Sequence, residues 1–434
     1  MRKVMTMIYP NGKMFTEEEL KKLRSHFDYV TCDFKGQQRL FFDNAGGSLR
    51  LKDASDRFDF INRIPDASEH SNEVALYLAQ IEDEARSDIQ HTLFNASSGT
   101  LYPSYTASQI TMEMVRIISG YAKGTNCVTT ILEHPSAFDA MERYSRDYDR
   151  ELRVAGVNQE TGGIDAEAVV SLIDKNTAIL CCMAASNISG CILPTETICR
   201  QAREINPDIF IIVDAVQHAP HGALDPEKIG ADVMVFAPYK FFGVRGMGIA
   251  YLSDRVSRFA HTKLTEKPAD NWEVGSPATP HFASVKKIID YVVDIGQTDA
   301  PVGSDRRGLF ENGMKRIADH ERALLHLVLE GDESCAGLRN RKGVHVRMDG
   351  KDLLTRDFII GIEFDNMSCE DAVAEYDKRG VVTFDRSATS LFSRRMLDAF
   401  GLRGVVRISP LHINTAEEIR QFLNITGKMA EEGK

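Results

Sequence analysis

The stretch that decides the fold is Ile211–Leu252, which reads IIVDAVQHAPHGALDPEKIGADVMVFAPYKFFGVRGMGIAYL. Two apolar segments, Phe210–Val213 and Val233–Phe236, have the length and composition of buried strands. Strand and helix patterns alternate from about residue 100 to residue 252. This alternation is typical of a parallel sheet with helices on both faces, so we expect an α/β fold.

Polar residues follow each of these two predicted strands. Asp214 and Gln217 come after the first, and Lys240 comes after the second. Ligands of open α/β sheets bind just beyond the carboxyl ends of the strands, which makes these residues candidates for chemistry. A lysine among aromatic side chains loses its proton more readily than a solvated lysine, as Schiff-base chemistry requires. The alternative is an exposed acid and a solvent-reaching lysine, and these residues by themselves leave both interpretations open.

Length and charge exclude several classes of protein. The chain has 434 residues, which exceeds the size at which a single core usually divides into two domains. Its formal net charge is −11 and it has no block of basic residues, which argues against nucleic acid or an anionic membrane as a partner. No apolar run approaches the ~20 residues that a membrane-spanning helix needs.

The cysteines and the N-terminus indicate the compartment. Eight cysteines are scattered without a C-x-x-C pair, which predicts reduced thiols and neither a disulfide framework nor a metal site. The first residues lack the apolar stretch and small-residue cleavage site of a signal peptide. We therefore expect a cytoplasmic protein.

Several helices are predicted from their capping residues and apolar spacing. Thr16 and Thr415 each precede a glutamate by three residues, the pattern of a capping box. Glu73–Phe94 has the pattern of one long amphipathic helix, and a second long helix is predicted from Asp305 to about Glu330. Another helix opens at Thr106. Its N-terminus is either an anion site or an ordinarily capped helix end.

The motifs of the central stretch resemble those of a known superfamily. The pattern D-A-V-Q-H, then G-A-D-V-M-V-F, then a lysine turn and F-G-V-R-G-M-G, is similar to that of fold-type I pyridoxal-phosphate enzymes. More narrowly, it resembles the class V aminotransferase and cysteine desulfurase superfamily. The closest similarity is to its cysteine desulfurase-like branch, in which the lysine tripeptide reads Tyr-Lys-Phe, as it does at Tyr239–Phe241.

The resemblance implies a fold and a domain division. The expected fold is that of a fold-type I transferase, with a mostly parallel, seven-stranded sheet flanked by helices and a smaller C-terminal α+β domain. Residues 1–45 are expected to pack on the small domain. Residues 46–305 would form the large cofactor-binding domain, and residues 306–434 the small domain.

The resemblance also implies the cofactor, pyridoxal 5'-phosphate. Lys240 would hold it as a Schiff base and then act as the general base at Cα of the substrate. Asp214 would keep the pyridine nitrogen protonated, and Gln217 would hydrogen-bond the phenolic oxygen. An acid on one side of the ring and a lysine reaching its far end can be supplied by two adjacent strand ends.

Four more residues are assigned to the cofactor by the same resemblance. His134 would stack on the pyridine ring, although a lone histidine at a strand end is also a common structural residue. Thr106 and Ala107 would bind the phosphate. Asn187 lies in a Ser-Asn-x-x-Gly segment and would reach the phenolic oxygen and the substrate carboxylate; a plain polar loop is the alternative.

The resemblance places the substrate and a second subunit as follows. Arg407 would fork onto the α-carboxylate of a small amino acid, with a surface salt bridge as the alternative. Asn187 would assist it, and Ala45 and Gly46 would lie at the mouth of the site. Ser276 would reach the phosphate of a neighbouring subunit, which implies a homodimer with shared active sites.

Two departures from the family pattern bear on the reaction. The stretch Thr383–Ser390, where desulfurases carry their sulfur-accepting cysteine, contains none. Phe384 stands near the place of a second carboxylate-binding arginine, for which Arg386 is a substitute. The family's Ser-x-His-Lys is Ala237–Lys240 here, so a phosphate-binding hydroxyl is missing and Tyr239 takes the place of a histidine. The Tyr239 hydroxyl would still reach the cofactor phosphate.

Three functions are consistent with these residues. The first is a pyridoxal-phosphate enzyme acting on a small amino acid as a C–S or β-lyase, an aminotransferase or an epimerase. The second is a cysteine desulfurase or selenocysteine lyase that uses a cysteine from elsewhere in the chain. The third is a catalytically silent scaffold or regulatory protein, against which the retention of Lys240, Asp214, Gln217, His134 and Arg407 argues.

Overall fold

The computed structural model describes residues 8, 9 and 12–432, so most of the N-terminal segment considered for a signal peptide lies outside the described residues. The helices alternate with strands along the first two thirds of the chain. They are α1 (Glu17–Ser25), α2 (Lys52–Asn62), α3 (Glu73–Ser87), α4 (Ala107–Tyr121), α5 (Pro135–Asp147), α6 (Ala166–Val170), α7 (Thr195–Ile205), α8 (Pro226–Ile229), α9 (Thr279–Gly296), α10 (Arg306–Glu330), α11 (Cys369–Lys378), α12 (Arg394–Ala399) and α13 (Ala416–Glu432).

A seven-stranded sheet forms the centre of the molecule. Its strands are β1 (Thr100–Ser104), β2 (Asn126–Thr130), β3 (Glu151–Ala155), β4 (Thr177–Met183), β5 (Phe210–Asp214), β6 (Val233–Phe236) and β7 (Gly248–Leu252). Their order is β1-β7-β6-β5-β4-β2-β3. All neighbours are parallel except β7, which is antiparallel to both β1 and β6. The predicted α/β fold with a mostly parallel sheet is confirmed.

The central strand β5 shows why this sheet is buried on both faces. Ile211 and Val213 pack into the larger hydrophobic core, whereas Ile212 packs into a separate core on the opposite face. Successive side chains of a strand point to opposite faces, so a strand covered on both sides must be apolar throughout. The run stops at Asp214, where the strand leaves the core.

A four-stranded antiparallel sheet forms the C-terminal part of the chain. Its strands are β8 (Val344–Arg347), β9 (Ile360–Phe364), β10 (Phe384–Ser387) and β11 (Gly404–Ile408), in the order β8-β9-β11-β10. A third core, with Phe358 and Phe422 among its buried residues, lies between this sheet and its helices. Leu40–Phe41 pairs with Val381–Val382 beside this sheet, while the predicted domain boundaries themselves stay a prediction.

The two predicted capping boxes are present. The Thr16 side chain accepts from the Glu19 amide at 3.2 Å, and Glu19 accepts from the Thr16 amide at 2.8 Å. Thr415 and Glu418 make the same reciprocal pair at 3.0 Å in each direction, at the start of α13. Each box satisfies amide donors that the first turn of a helix leaves unpaired.

The single helix predicted over Glu73–Phe94 was wrong at its C-terminal end. Helix α3 ends at Ser87, and a π-helical segment, Asp88–Leu93, continues it. The side chain of Asp88 is buried and accepts hydrogen bonds from Arg306 at 2.6 Å and Lys286 at 3.0 Å. These partners lie about two hundred residues away, so the local apolar pattern carries no signal for the widened turns.

Candidate active site

A cavity of about 220 Å³ lies at the carboxyl ends of β4, β5 and β6. The predicted cofactor residues that line it are Thr106, Ala107, His134, Asn187, Asp214, Gln217, Tyr239 and Lys240. They come from separate places in the chain, between residues 106 and 240. The structure therefore brings eight of the sequence-predicted residues together at the sheet edge where the strand pattern placed them.

The turn that carries Lys240 is locked in an unusual conformation. Pro238–Lys240 forms a 3₁₀ turn after β6, and Phe242 has φ of +63° although its side chain is fully buried. A bulky residue in this region is strained and must be held by its surroundings. The Phe242 amide donates to Ser48 Oγ at 2.9 Å, and its carbonyl accepts from the Leu51 amide at 2.9 Å. Ser48 and Leu51 thus hold the turn that carries the lysine.

Lys240 lies in an environment that favours its neutral amine. Its Nζ donates to Gln217 Oε1 at 3.3 Å. Burial, and then the nearby Arg407 guanidinium, lower the pKa of Lys240 to about 8, while Asp214 acts in the opposite direction. A lysine amine must be neutral to attack a carbonyl group, and this site makes that form accessible near neutral pH.

Asp214 closes the other side of the cavity. It is the last residue of β5, and its Oδ1 accepts from the Val216 amide at 3.0 Å. Its carbonyl accepts from the Ala184 amide at 2.8 Å, which ties it to the end of β4. The Val216 amide therefore orients the carboxylate, and the Ala184 amide fixes the Asp214 backbone to the neighbouring strand end.

His134 caps α5 and faces the same cavity. Its Nδ1 accepts from the Ser136 amide at 3.2 Å and lies 2.8 Å from Ser136 Oγ. Burial lowers the pKa of His134, and Lys240 lowers it further, against the influence of Asp214. The ring is thus held at one wall of the cavity in a neutral form, so this residue is both a structural cap and a site residue.

The start of α4 provides amide groups at one end of the cavity. Thr106 accepts from the Gln109 amide at 3.0 Å, so it is an ordinary N-cap as well as a cavity residue. A Cβ on Gly248 would lie 2.3 Å from the Ala107 nitrogen, so only glycine lets β7 approach the helix start this closely. Amides at a helix N-terminus carry partial positive charge and suit an anion.

Arg407 is buried, with 2% of its surface exposed, so the alternative of a surface salt bridge is wrong. Its Nη2 lies 2.6 Å from Asp43 Oδ1, and its Nη1 donates to the Asn187 carbonyl at 3.3 Å. The Asn187 side chain is buried as well, and its Oδ1 has no hydrogen-bond partner among the described residues. An unpaired buried acceptor is costly, which indicates that a ligand completes this wall.

Four predicted residues lie outside the cavity lining: Arg407, Ala45, Gly46 and Ser276. The Ala45 amide donates to Ser409 Oγ at 3.0 Å, and a Cβ on Gly46 would lie 3.2 Å from Arg407 Nη2, so both flank the arginine. Ser276 lines a separate cavity of about 450 Å³ together with Trp272. Trp272 is packed within its own chain, since its ring stacks on His261 at 3.8 Å.

Two buried residues near the site received no role, or only an uncertain one, from the sequence. Glu133 accepts from Thr130 Oγ1 at 2.6 Å and from the Met183 amide at 3.0 Å, and burial raises its pKa to about 8. The Glu-His dipeptide was its only signal. Arg386 is 7% exposed, and burial followed by the charge of Arg407 lowers its pKa to about 9.

Comparison with known proteins agrees with this geometry. A family model described as aminotransferase class-V matches residues 40–302. The chain belongs to the class-V aminotransferase family. A probable cysteine desulfurase of Borreliella burgdorferi is 24% identical over 431 residues, covering 94% of this chain and 95% of the relative. A cysteine desulfurase of Serratia proteamaculans is 24% identical over 332 residues, covering 72% and 77%.

Solved structures place this class-V aminotransferase-family chain in the same fold. The apo structure of a cysteine desulfurase from Thermococcus onnurineus aligns with a TM-score of 0.78 at 18% identity, over 97% of this chain and 100% of the other. The cysteine desulfurase CsdA of Escherichia coli aligns with a TM-score of 0.78 at 16% identity, over 97% and 100%. At these identities the likeness shows the fold, which is the expected fold-type I architecture.

The chain is a pyridoxal-phosphate-dependent enzyme of the class-V aminotransferase family. The cavity fits this cofactor, because it combines a lysine with a lowered pKa, a carboxylate, helix amides and the unpaired Asn187 Oδ1. Within residues 12–432, no His, Cys, Asp and Glu cluster is arranged to hold a metal ion. No helix in the described part of the chain is long and apolar enough to cross a membrane.

Proposed function

We propose that this enzyme acts at Cα of a small amino acid and that it does not transfer sulfur to a cysteine of its own. The observation that carries the proposal is one cavity that holds Lys240, Gln217, Asp214 and His134 but no cysteine of the described residues. Elimination at a C–S bond, transamination and epimerisation all begin with removal of the α-proton. Lys240 is the residue placed to move it.

Each site residue would have a separate role in this reaction. Bound pyridoxal phosphate supplies the electron sink for the bonds at Cα. Asp214 would hold a proton at the pyridine nitrogen, and Gln217, already 3.3 Å from Lys240 Nζ, would donate to the phenolic oxygen. His134 would cover one face of the ring, and the side-chain nitrogen of Asn187 would donate to the phenolic oxygen. Its unpaired Oδ1 would then be available to accept from a donor group of the ligand. Lys240 would remove the proton from Cα of the substrate and return it at a later step.

The charges at the substrate end support a ligand with one carboxylate. Arg386 is two residues from Phe384 on β10, and Phe384 pairs directly with Arg407 on β11, so both arginines project from the same face. The Asp43 carboxylate lies against Arg407, whereas no carboxylate of the described residues lies within 4.0 Å of Arg386. Two guanidinium groups and one carboxylate leave one positive charge, which an α-carboxylate would balance.

The chemistry of Cys369 argues against a persulfide route. Cys369, the cysteine nearest in sequence to Thr383–Ser390, lies on α11 with its Sγ 3.1 Å from the Glu370 carboxylate. Burial raises the pKa of Cys369 to about 12, followed in effect by Glu370. The thiolate is the nucleophile in sulfur transfer, and such a pKa leaves almost none at neutral pH.

Cysteine is the first substrate to test, because the relatives from Borreliella burgdorferi and Serratia proteamaculans are described as cysteine desulfurases. With no enzyme thiol in the cavity, its sulfur would leave as free sulfide. We further propose a cytoplasmic homodimer in which Ser276 serves the partner's site. The half-exposed Val274 and the largely exposed Tyr105, both lining the Ser276 cavity, support such an interface.

An amino-acid panel tests the proposal. Purified enzyme loaded with pyridoxal phosphate is expected to change its visible spectrum with a small amino acid and to release a keto acid, sulfide or the opposite enantiomer. Sulfide together with a keto acid identifies elimination, a keto acid without sulfide identifies transamination, and the opposite enantiomer identifies epimerisation. A covalent persulfide on the protein after incubation with cysteine, found by mass spectrometry, would contradict the proposal and support a desulfurase.

The lowered pKa of Lys240 predicts how cofactor attachment depends on pH. Since the neutral amine reacts, the attachment rate of cofactor-free enzyme should rise with pH and level off near pH 8, the pKa of Lys240. A solvated lysine would show a rate that keeps rising to about pH 10.4. Stopped-flow absorbance over this range measures the difference, with a lysine-containing peptide as the control. A profile that matches the peptide would show that the site does not depress the pKa.

A further inference from the structure

The phosphate end of the cavity lacks two side chains that the family pattern would supply. Residue 237 is an alanine without a hydroxyl, and residue 239 is a tyrosine instead of a histidine. Both line the cavity beside Thr106 and Ala107. A phosphate dianion held by helix amides and by the hydroxyls of Thr106 and Tyr239 would have no cationic partner among these four residues.

Arg245 lies at this end, and neither the family pattern nor the proposed reaction gives it a role. It lines the same cavity, and the centre of its guanidinium lies 4.3 Å from the centroid of the Tyr239 ring. No carboxylate of the described residues comes within 4.0 Å of it, whereas many arginines of this chain are ion-paired. A stacked, unneutralised guanidinium beside helix amides is suited to bind a phosphate.

The glycine turn after the short strand Leu40–Phe41 makes room for this side chain. A Cβ on Gly47 would lie 2.7 Å from Arg245 Nη2 and 3.7 Å from the Tyr239 ring. A side chain at residue 47 would therefore change where the guanidinium lies, although the flexible arginine could move without disturbing the backbone.

A second arginine increases the positive potential at this end. Arg50 Nη1 donates to the Tyr239 carbonyl at 2.9 Å, which fixes its direction. Burial, and then the charge of Arg245, lower the pKa of Arg50. Two guanidinium groups that repel each other without a carboxylate between them favour the binding of an anion, because the anion removes that repulsion.

We propose that Arg245 binds the phosphate of the cofactor and takes over the role of the hydroxyl and the histidine that are absent at Ala237 and Tyr239. The proposal rests on the cofactor phosphate lying at the start of α4. Arg245 would donate two parallel hydrogen bonds to phosphate oxygens while its face stays stacked on Tyr239. Gly47 would act as the positioning residue that leaves space for this arrangement.

The test compares two ligands that differ only in the phosphate. Cofactor-free protein is titrated with pyridoxal phosphate and with pyridoxal, and the visible absorbance of the lysine-bound form gives each dissociation constant. Arg245→Ala should weaken pyridoxal phosphate binding by about 10- to 100-fold and pyridoxal binding by less than about twofold. Arg245→Lys, which keeps the charge but not the fork, should fall between the wild type and Arg245→Ala.

Gly47→Ala provides an independent route to the same result. It moves the guanidinium without changing any charge, and should also weaken pyridoxal phosphate selectively, by about three- to tenfold. Arg200→Ala, in an exposed ion pair 2.7 Å from Glu204 on α7, is the matched control and should change neither constant.

Two results would overturn the proposal. One is an unchanged affinity of Arg245→Ala for pyridoxal phosphate, and the other is an equal loss for both ligands. Circular dichroism of each variant shows whether it is folded. If Arg245→Ala does not fold, the affinities of Gly47→Ala and Arg245→Lys for the two ligands test the proposal instead. If the wild type itself binds no pyridoxal phosphate, the cofactor assignment fails and not the role of Arg245 alone.

Discussion

Lys240→Ala is expected to lower the turnover rate by about 10³-fold or more and to remove the visible absorbance of lysine-bound pyridoxal phosphate. Lys240 serves as both attachment point and proton carrier, so one substitution removes two contributions to the rate. Among the described residues that line the cavity, Lys240 is the one lysine, so no second lysine is placed to substitute for it.

The measurements for this variant separate its two roles. Steady-state turnover gives the combined loss, and the absorbance spectrum reports attachment alone. Adding a small amine such as methylamine should restore part of the activity, because a free amine can carry the proton in a cavity with space for it. Lys228→Ala, in an exposed pair 3.0 Å from Glu196, is the control and should behave as the wild type. Retention of the absorbance band in Lys240→Ala would contradict the assignment.

The sequence predicted the central sheet because its strands carry a strong local signal. Val233–Phe236 was predicted with its observed bounds, since a continuous apolar run is decided within a few residues. The eight cavity residues followed from the same signal combined with the family pattern. The end of an apolar run marks the end of a strand, and ligands of such sheets bind just beyond the strand ends.

Contacts between distant segments carry no such signal. The pairing of Asp43 with Arg407 joins residues 364 positions apart, and nothing near either residue indicates the other. The role of Gly47 depends on where Arg245 lies in space. The left-handed conformation of Phe242 also cannot be predicted from the sequence, because bulky residues rarely adopt a positive φ.

Glu321 is the clearest example of a residue whose role depends on contacts between distant segments. It lies in the middle of α10, where its helical position predicts only a charged surface residue, yet it is 3% exposed. Its Oε2 lies 2.7 Å from His221 Nδ1, and its Oε1 accepts from the His412 amide at 2.9 Å. His221 follows β5 and Gln217, while His412 follows β11 and Arg407. The Glu321 carboxylate therefore links the segment that follows Gln217, a cofactor residue, to the segment that follows Arg407, a substrate residue.

The ion pair between Glu321 and His221 stabilises the fold over a defined pH range. Burial alone would lower the pKa of His221, but the Glu321 carboxylate raises it from 6.5 to about 9. A histidine with a raised pKa in the folded state stabilises that state fully below its unfolded value of 6.5. That stabilisation is lost as the pH rises through about 9, because the folded protein then releases the same proton.

Glu321→Gln is expected to lower the free energy of unfolding by at most about 3 kcal/mol at about pH 6, since a shift of one pKa unit corresponds to about 1.4 kcal/mol. Burial raises the pKa of Glu321 itself, and this cost offsets part of the stabilisation that the pair provides. Glutamine keeps the size and can still accept from the His412 amide, so the change isolates the lost charge. Urea denaturation of the cofactor-free protein measures the effect, and the difference from wild type should nearly vanish at about pH 10. Glu417→Gln, whose side chain is 82% exposed, should cost less than about 0.5 kcal/mol at either pH. A loss of equal size at both pH values would mean that Glu321 acts through packing, because a charge effect must disappear when His221 is neutral.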